Sequence, residues 1–437
     1  MKKLILISLI SFISLLVADT VDNPVSISLG DAFMLRSNDY RALGWNPAQL
    51  SHYSKKVTLG LGNMNILISN NALSLSFYND LMGANLNESK KKEFLDRIPD
   101  SGLGLDADVG GTSPLLALSY KNFAFRTTFN VVTTSSFSKE LFEFIIDDLE
   151  FRSYDFSDSR GEIASVMEYQ FGYGHKISLN EYLPYDFPPV YAGLSIGYIL
   201  GMNYARISKI KSKFVNSTDG MVLDNYVKIK TSGVEIDEET DDIKTDVGNM
   251  FNGHGFRMDL GFVADVSEQL TLGLNFKNML GVIVWKNACE EHVFSAYGDS
   301  LFIYMEDEDF DEAVVDTDTT YSIDKITQNI PFEIHLGAAY KLNKFDLYAD
   351  FVQGFDTSVY TSSNPKFSLG AEYDILRWLP LRVGFGFGEE RSSHFSIGSG
   401  LVFRKFELNW ATRSYYSPLP TFSKGMSFSL GMILKFD

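Results

Sequence analysis

The chain has 437 residues, 38 of them basic and 56 acidic, for a formal net charge of -18. That balance excludes nucleic-acid binding, which wants a basic patch, and the lone Cys289 excludes an internal disulfide. With 35 Phe and 22 Tyr the chain is rich in strand and interface residues, yet beyond the N-terminus no 18-residue apolar stretch occurs; a helical membrane span is not expected, whereas a barrel hides its apolar band in alternate residues.

In chain order, Lys2 and Lys3 precede an apolar run over 4–17 and then Ala18. This is the charged start, apolar middle and small-residue end of a secretory signal, expected over 1–18; the alternative is an uncleaved anchor, for which the run is short. Next comes SLGDAFMLRSNDYRALGWNPAQL at 28–50, irregular, partly apolar and ending in a helix stop at Asn46-Pro47. Such a piece can fold back into a barrel lumen whose polar walls satisfy its backbone, so 19–55 is expected to be a hatch or plug and 56–437 the barrel.

From there the period of two dominates. Met426, Phe428, Leu430, Met432, Leu434 and Phe436 share one face; Ser427, Ser429, Gly431 and Lys435 share the other, broken by Ile433. Strands are expected near 57–66, 113–120, 122–134, 165–177, 190–208, 253–266, 269–285, 331–341, 344–356, 366–375, 380–388, 393–403, 404–413 and 425–436. They run about ten residues, the length a tilted strand needs to cross a bilayer, and very short turns such as 267–269, 342–344 and 404–405 join several of them. Fourteen is an even number, which puts both ends on one side. The stretch 72–79 is strand-like but would break the alternation of short and long connections, so it belongs to a loop; 219–234 reads as a hairpin extending beyond the membrane. The fold class is therefore all-β: a single transmembrane antiparallel barrel with an N-terminal hatch and helical loop insertions. A soluble sandwich is the competing reading.

The long connections carry a polar helix at 87–98, an amphipathic one at 138–149, and two acidic stretches, EIDEETDDIKTD (235–246) and EDEDFDEAVVDTD (306–318). The acidic stretches lack the glycine turn and terminal Glu of a Ca²⁺ loop, and no metal or cofactor is expected. Six scattered His, no nucleophile elbow and no phosphate loop point away from an enzyme; GFGFG at 384–388 has its glycines on one face of a strand. On the predicted inner face lie Arg257, Asp259, Lys277, Glu333, His335, Asp346, Asp350, Glu372, Asp374, Arg382, Glu407 and Arg413. Of these, Arg257, Asp259, Glu333, Glu372 and Arg382 stand as lumen candidates. Both signs on one face allow a polar interior that pairs with itself or with the hatch, or a solute path tuned by charge.

Gly30, Ala32, Phe33, Asn38, Asp39, Ala42, Leu43 and then Trp45, Asn46, Pro47 and Ala48 resemble the N-terminal signature of the FadL-type channel superfamily and of the related PorV-type barrels, with Gln49 where a glycine is usual. The resemblance covers about twenty residues. It implies a fourteen-stranded barrel with a hatch turning at Asn46, Pro47 and Ala48, in the bacterial outer membrane. The leading expectation is a passive channel for hydrophobic or amphipathic small molecules; the alternative is a PorV-like barrel that anchors or shuttles secreted proteins without transport. The implied partners are outer-membrane lipid and lipopolysaccharide, the barrel-assembly machinery (which Phe436 in the last strand suits) and a hydrophobic ligand.

Overall fold

The structure, a computed structural model, describes residues 23–52, 57–82, 87–146, 149–178, 188–236, 243–245, 250–301, 313–388 and 393–436. The expected signal at 1–18, the ends of the expected hatch, much of the two acidic stretches and Asp437 lie outside the described residues.

Fourteen antiparallel strands close on themselves. In chain order they are β1 Val57–Asn70, β2 Leu103–Tyr120, β3 Phe123–Phe137, β4 Arg160–Ile177, β5 Val190–Ser217, β6 Gly253–Asp265, β7 Leu270–Trp285, β8 Glu333–Leu342, β9 Phe345–Gly354, β10 Lys366–Leu376, β11 Leu379–Gly388, β12 Ser393–Val402, β13 Phe406–Tyr415 and β14 Gly425–Phe436. Each pairs with its chain neighbour, and β1 pairs with β14 from Val57↔Phe436 to Ser69↔Gly425, which leaves no barrel edge.

Burial separates a membrane barrel from a soluble sandwich. On β14 the apolar Phe428 and Leu430 are 54% and 43% exposed, while Ser427 and Ser429 between them are 4% and 0% exposed. Leu194, Ile196 and Tyr198 on β5 face out in the same way, with Ser195 buried. A sandwich buries its apolar face; this wall turns it outward, and only lipid suits that arrangement. The protein is thus a transmembrane β-barrel. No helix among the described residues is long and apolar enough to cross a membrane.

The side bearing the short connections and both barrel ends is the periplasmic side by barrel convention. On the opposite side β5 runs on for 28 residues in all and pairs with Gly220–Ser232, extending the wall as a hairpin. That strand pairs with Cys289–Leu301, which pairs with Val314–Ser322. Part of the second acidic stretch is therefore strand rather than loop, a correction that Val314, Val315 and the alternating threonines explain by their β preference. In the first stretch Val234–Ile236 pairs with Ile243–Thr245. Residues 72–79 do not form a strand: Ser74 caps a short helix at Leu75–Leu81. Helices also form at Glu88–Arg97 and Lys139–Ile146. Phe142 and Phe144 of the latter join two apolar clusters with Leu95 and Leu103 and with Tyr154 and Phe214.

Candidate functional site

Residues 23–52 lie inside the barrel, and glycines make the room. A Cβ on Gly431 would press on Pro24, one on Gly398 on Ser28, and one on Gly384 on the Leu29–Gly30 backbone. Gly370 likewise faces Leu29, Gly337 faces Met34, Gly273 faces Leu35, Gly261 faces Asn46 and Gly193 faces Pro47. On the remaining arc Gly174 faces Leu50 and Ser51, Gly172 faces Leu43 and Gly60 faces Tyr40. Each of these glycines stands three to six residues from its strand's periplasmic end, so the segment is seated as a disc in the periplasmic half of the lumen.

The segment holds its shape by local bonds. Asn23 and Ser26 form a capping box on a short helix at Pro24–Ser28. The Phe33 and Met34 amides donate to Asp350 of β9 at 2.9 and 2.8 Å, and Phe33 packs edge-on against Trp45 at 5.3 Å. Asp39 caps the turn at Tyr40–Ala42. At the motif itself, the Asn46 side-chain amide donates to the Phe262 and Leu274 carbonyls at 3.2 and 3.3 Å, and its oxygen accepts from Ala48 N at 3.0 Å. Ala48 is fully buried with Met34, Leu35 and Val263. Asn46, Pro47 and Ala48 thus sit at one place, where the segment meets β5, β6 and β7.

The lumen charges pair on both sides of this disc. Above it, Arg257 donates to both oxygens of Glu168 at 2.6 and 2.9 Å and to Asn278 at 2.8 Å. Asp259 accepts from Gln170, Ser195 and the Asn278 amide at 3.0, 2.9 and 3.0 Å. Glu333 meets Lys277 at 3.2 Å and His335 at 2.8 Å, and Asp31 holds Arg413 and, at 2.8 Å, Lys366. Below it, Glu372 bonds Arg382 and, at 3.1 Å, Arg36; Arg382 also reaches Asn409 at 2.9 Å. Arg41 joins Asp39 at 2.8 Å to Glu407 at 3.1 Å, which also bonds Lys435. The five lumen candidates are all buried and all paired, but they form separate groups: Arg257 and Asp259 in one, Glu333 beside it, Glu372 and Arg382 at the other level. Asp374 is exposed at the periplasmic rim.

Over the upper charges lies an apolar roof. Val166, Ile199, Ile283, Ile330 and the Trp285 ring stacked on Tyr204 at 5.2 Å form one buried cluster, packed by Val359 and Tyr360. Between roof and charges a cavity of about 40 Å³ is lined by Asn130, Glu168, Arg257, Lys277 and Asn278 below and by those aliphatic side chains above, room for roughly three waters. Among the described residues no group of three His, Cys, Asp or Glu could hold a metal.

In β2 the wall is interrupted over four consecutive residues. β2 pairs with β3 at Thr112↔Thr128 and next at Ala117↔Arg126, and with β1 at Asn63↔Thr112 and next at Leu59↔Leu118. Residues 113–116 (Ser-Pro-Leu-Leu) therefore have no ladder partner on either neighbour, and Leu115 has a φ of 62°. Proline cannot donate to a ladder, which accounts for the interruption. Outside the break Leu115 and Leu116 are exposed; inside it Ala117 packs with Tyr40, Leu43, Leu50 and Ile433.

The family described as "Family of unknown function (DUF5723)" matches residues 47–412. No curated protein matches the chain in sequence. Among solved structures the chain is similar to the toluene transporter TbuX of Ralstonia pickettii, with a TM-score of 0.48 and 11% identity over 95% of this chain and 97% of that one. It is also similar to the toluene transporter TodX of Pseudomonas putida (TM-score 0.46, 10% identity, 97% and 99% covered) and to a FadL homologue of Pseudomonas aeruginosa (TM-score 0.46, 12% identity, 96% and 98% covered).

Proposed function

We propose that this chain, which belongs to the DUF5723 family of unknown function, is an outer-membrane channel for small hydrophobic or amphipathic molecules, admitted at the extracellular mouth and released sideways through the break in β2. The single observation that carries the reading is that break. A porin for hydrophilic solutes needs an open lumen; here the lumen holds residues 23–52 and paired charges on both sides of them. An apolar solute has a reason to leave through the side, because entering lipid instead of the periplasm spares about 25 cal/mol for each Å² of apolar surface. The gap at 113–116 has an apolar inner lip, and its outer lip already faces lipid. Outer-membrane lipid around the outward-facing apolar wall is the partner this reading requires.

The test is to remove Leu115 and Leu116 together, which preserves the strand's alternation while shortening the unpaired stretch. In cells given a radiolabelled monoaromatic hydrocarbon or long-chain fatty acid, the shortened barrel should lose about tenfold in uptake, the rate effect of one lost 1.4 kcal/mol step. It should still migrate differently in boiled and unboiled gel samples. A folded shortened barrel with undiminished uptake of every solute the parent carries would refute the lateral route.

One feature favours a second reading, a barrel that anchors or shuttles exported proteins. The extracellular strand Val314–Ser322 is exposed along nearly its whole length, and its described pairing is to Cys289–Leu301; such an edge can accept a strand from another chain. Native mass spectrometry separates the two: bound amphiphiles favour the channel, and a retained protein with detergent alone favours the anchor.

A further inference from the structure

The roof over the lumen cavity is made of two unlike materials. Val166, Ile199 and Ile283 belong to β4, β5 and β7, whose ladders hold them in place. Tyr360 instead rides on the 355–365 connection between β9 and β10, far around the barrel from β4 and β5. It nevertheless lines the same cavity as Val166 and Ile199, so this loop reaches across the mouth.

At its base the loop is tied to the neighbouring strand by Phe355 N donating to the Phe332 carbonyl at 3.1 Å, and its other described hydrogen bonds close on itself and on β9. Ser358 N donates to the Thr361 carbonyl at 2.9 Å, Thr361 Oγ1 to the Asp356 carbonyl at 3.0 Å, and Ser363 N to Thr357 Oγ1 at 3.1 Å. Gln353 of β9 donates to the Ser363 carbonyl at 2.8 Å. Against the far wall it presents Val359 and Tyr360, which pack on the apolar cluster. The Tyr360 hydroxyl is buried without a hydrogen bond. Gln328, beside it, has committed its amide to Trp285 and Glu162. The ring packs on the apolar cluster and, with Val166 and Ile199, lines the cavity floored by Glu168, Arg257 and Lys277. A compact loop that meets the far wall through the packing of Val359 and Tyr360 can swing about its base without breaking a ladder bond of that wall, which the strand-borne roof residues cannot do.

We infer that the 355–365 loop is the extracellular gate of the lumen and that Tyr360 is the residue that closes it. The inference rests on reading the lumen as a solute path and adds to that reading the part that shuts it from outside. When the loop swings out, the aliphatic wall and the charged floor become one open pocket; when it returns, the Tyr360 ring restores the apolar lid.

Thiol labelling tests the gate without any transported solute. In a full-length chain carrying Cys289→Ser, Ile199→Cys places a reporter in the strand-borne part of the roof, on the cavity that Tyr360 also lines. Intact cells are then exposed to a membrane-impermeant maleimide. With Tyr360 present, and equally with Tyr360→Phe, labelling should be slow; with Tyr360→Ala it should quicken about tenfold, because losing the ring's burial shifts the open–closed balance by at least that factor. Equal rates in the parent and Tyr360→Ala would overturn the inference, as would fast labelling in the parent. Should Tyr360→Ala lose its heat-modifiable gel migration, Val359→Gly takes its place with the same two outcomes. Uptake that fails while labelling behaves as stated removes the transport reading and leaves the gate standing; the converse removes the gate alone.

Discussion

Asn46 and Gly261 share one place in the lumen: a Cβ on Gly261 would run into the Asn46 side chain. Asn46 can reach the Phe262 and Leu274 carbonyls because the wall presents no side chain there. Gly261→Val should therefore lift the Asn46-Pro47 turn from its seat while leaving β6 and its ladders intact. The expected outcome in planar bilayers is a rise in single-channel conductance over a nearly closed parent. Asn46→Leu should have a smaller effect, a loss of about 1–2 kcal/mol of stability from its missing hydrogen bonds. Unchanged conductance in a folded Gly261→Val barrel would mean that the segment does not depend on this contact.

Gly261 also shows what the sequence makes legible and what it hides. Alternation places most of the fourteen strands close to where they lie, because an outward apolar face and an inward polar one leave little freedom of register; the exceptions are β2, which begins at Leu103 rather than 113, and β5, which runs to Ser217 rather than 208. The glycines on the inner face were visible too, at 384, 386 and 388 among others, and in Gly384 they look like close packing within the strand. The partner of Gly384 is in fact the chain's own Leu29–Gly30 backbone, far away in the sequence, and no local pattern can express that; Gly386 and Gly388 do pack within the wall, against His394 and the Pro365 carbonyl. The same limit hides Glu168 and Gln170 as partners of Arg257 and Asp259. Inward polar positions of β4 look like any lumen-facing residue until β4, β5 and β6 are set side by side. The break at 113–116 carries a signal in Pro114, which in the sequence reads equally well as the start of a strand at 113.

The Arg257–Glu168 pair is buried on both sides, at 6% and 7% side-chain exposure. Removing one member strands the other charge, so Glu168→Leu should cost about 3–5 kcal/mol in urea unfolding from lipid vesicles. Replacing both, with Arg257→Met added, should recover most of that loss, since a well-packed apolar pair can match a buried ion pair. A double-mutant cycle reads the coupling directly; additive losses would show that the two side chains act independently.

On the periplasmic side Arg41 ties the segment to the wall through Glu407, and Lys435 binds the same carboxylate. Because these groups are buried or nearly so, salt should screen them poorly. Raising ionic strength from about 0.1 to 1 M should leave the parent's protease resistance within residues 23–52 unchanged. Glu407→Ala should make the segment cleavable at Arg41 from the periplasmic side in the folded barrel. Cleavage that rises with salt in the parent would instead place this network in contact with water.

Trp285 anchors the opposite end of the lumen. Its ring lies where a Cβ on Gly201 or Gly253 would be, stacks on Tyr204, and donates to Gln328 at 3.3 Å. Two glycines on adjacent strands therefore form its slot, and the slot fixes how far the roof reaches inward. Trp285→Ala should cost about 3–5 kcal/mol by leaving a cavity in this cluster, and it should let the Ile199→Cys reporter label faster even with Tyr360 in place. Trp285→Phe keeps a ring in the slot but loses the bond to Gln328, so its cost should be nearer 1–2 kcal/mol with slow labelling retained. If the alanine variant proved as stable and as slowly labelled as the parent, the roof would not depend on the Trp285 ring, and the Tyr360 loop would have to close the mouth against the strand-borne aliphatic side chains alone.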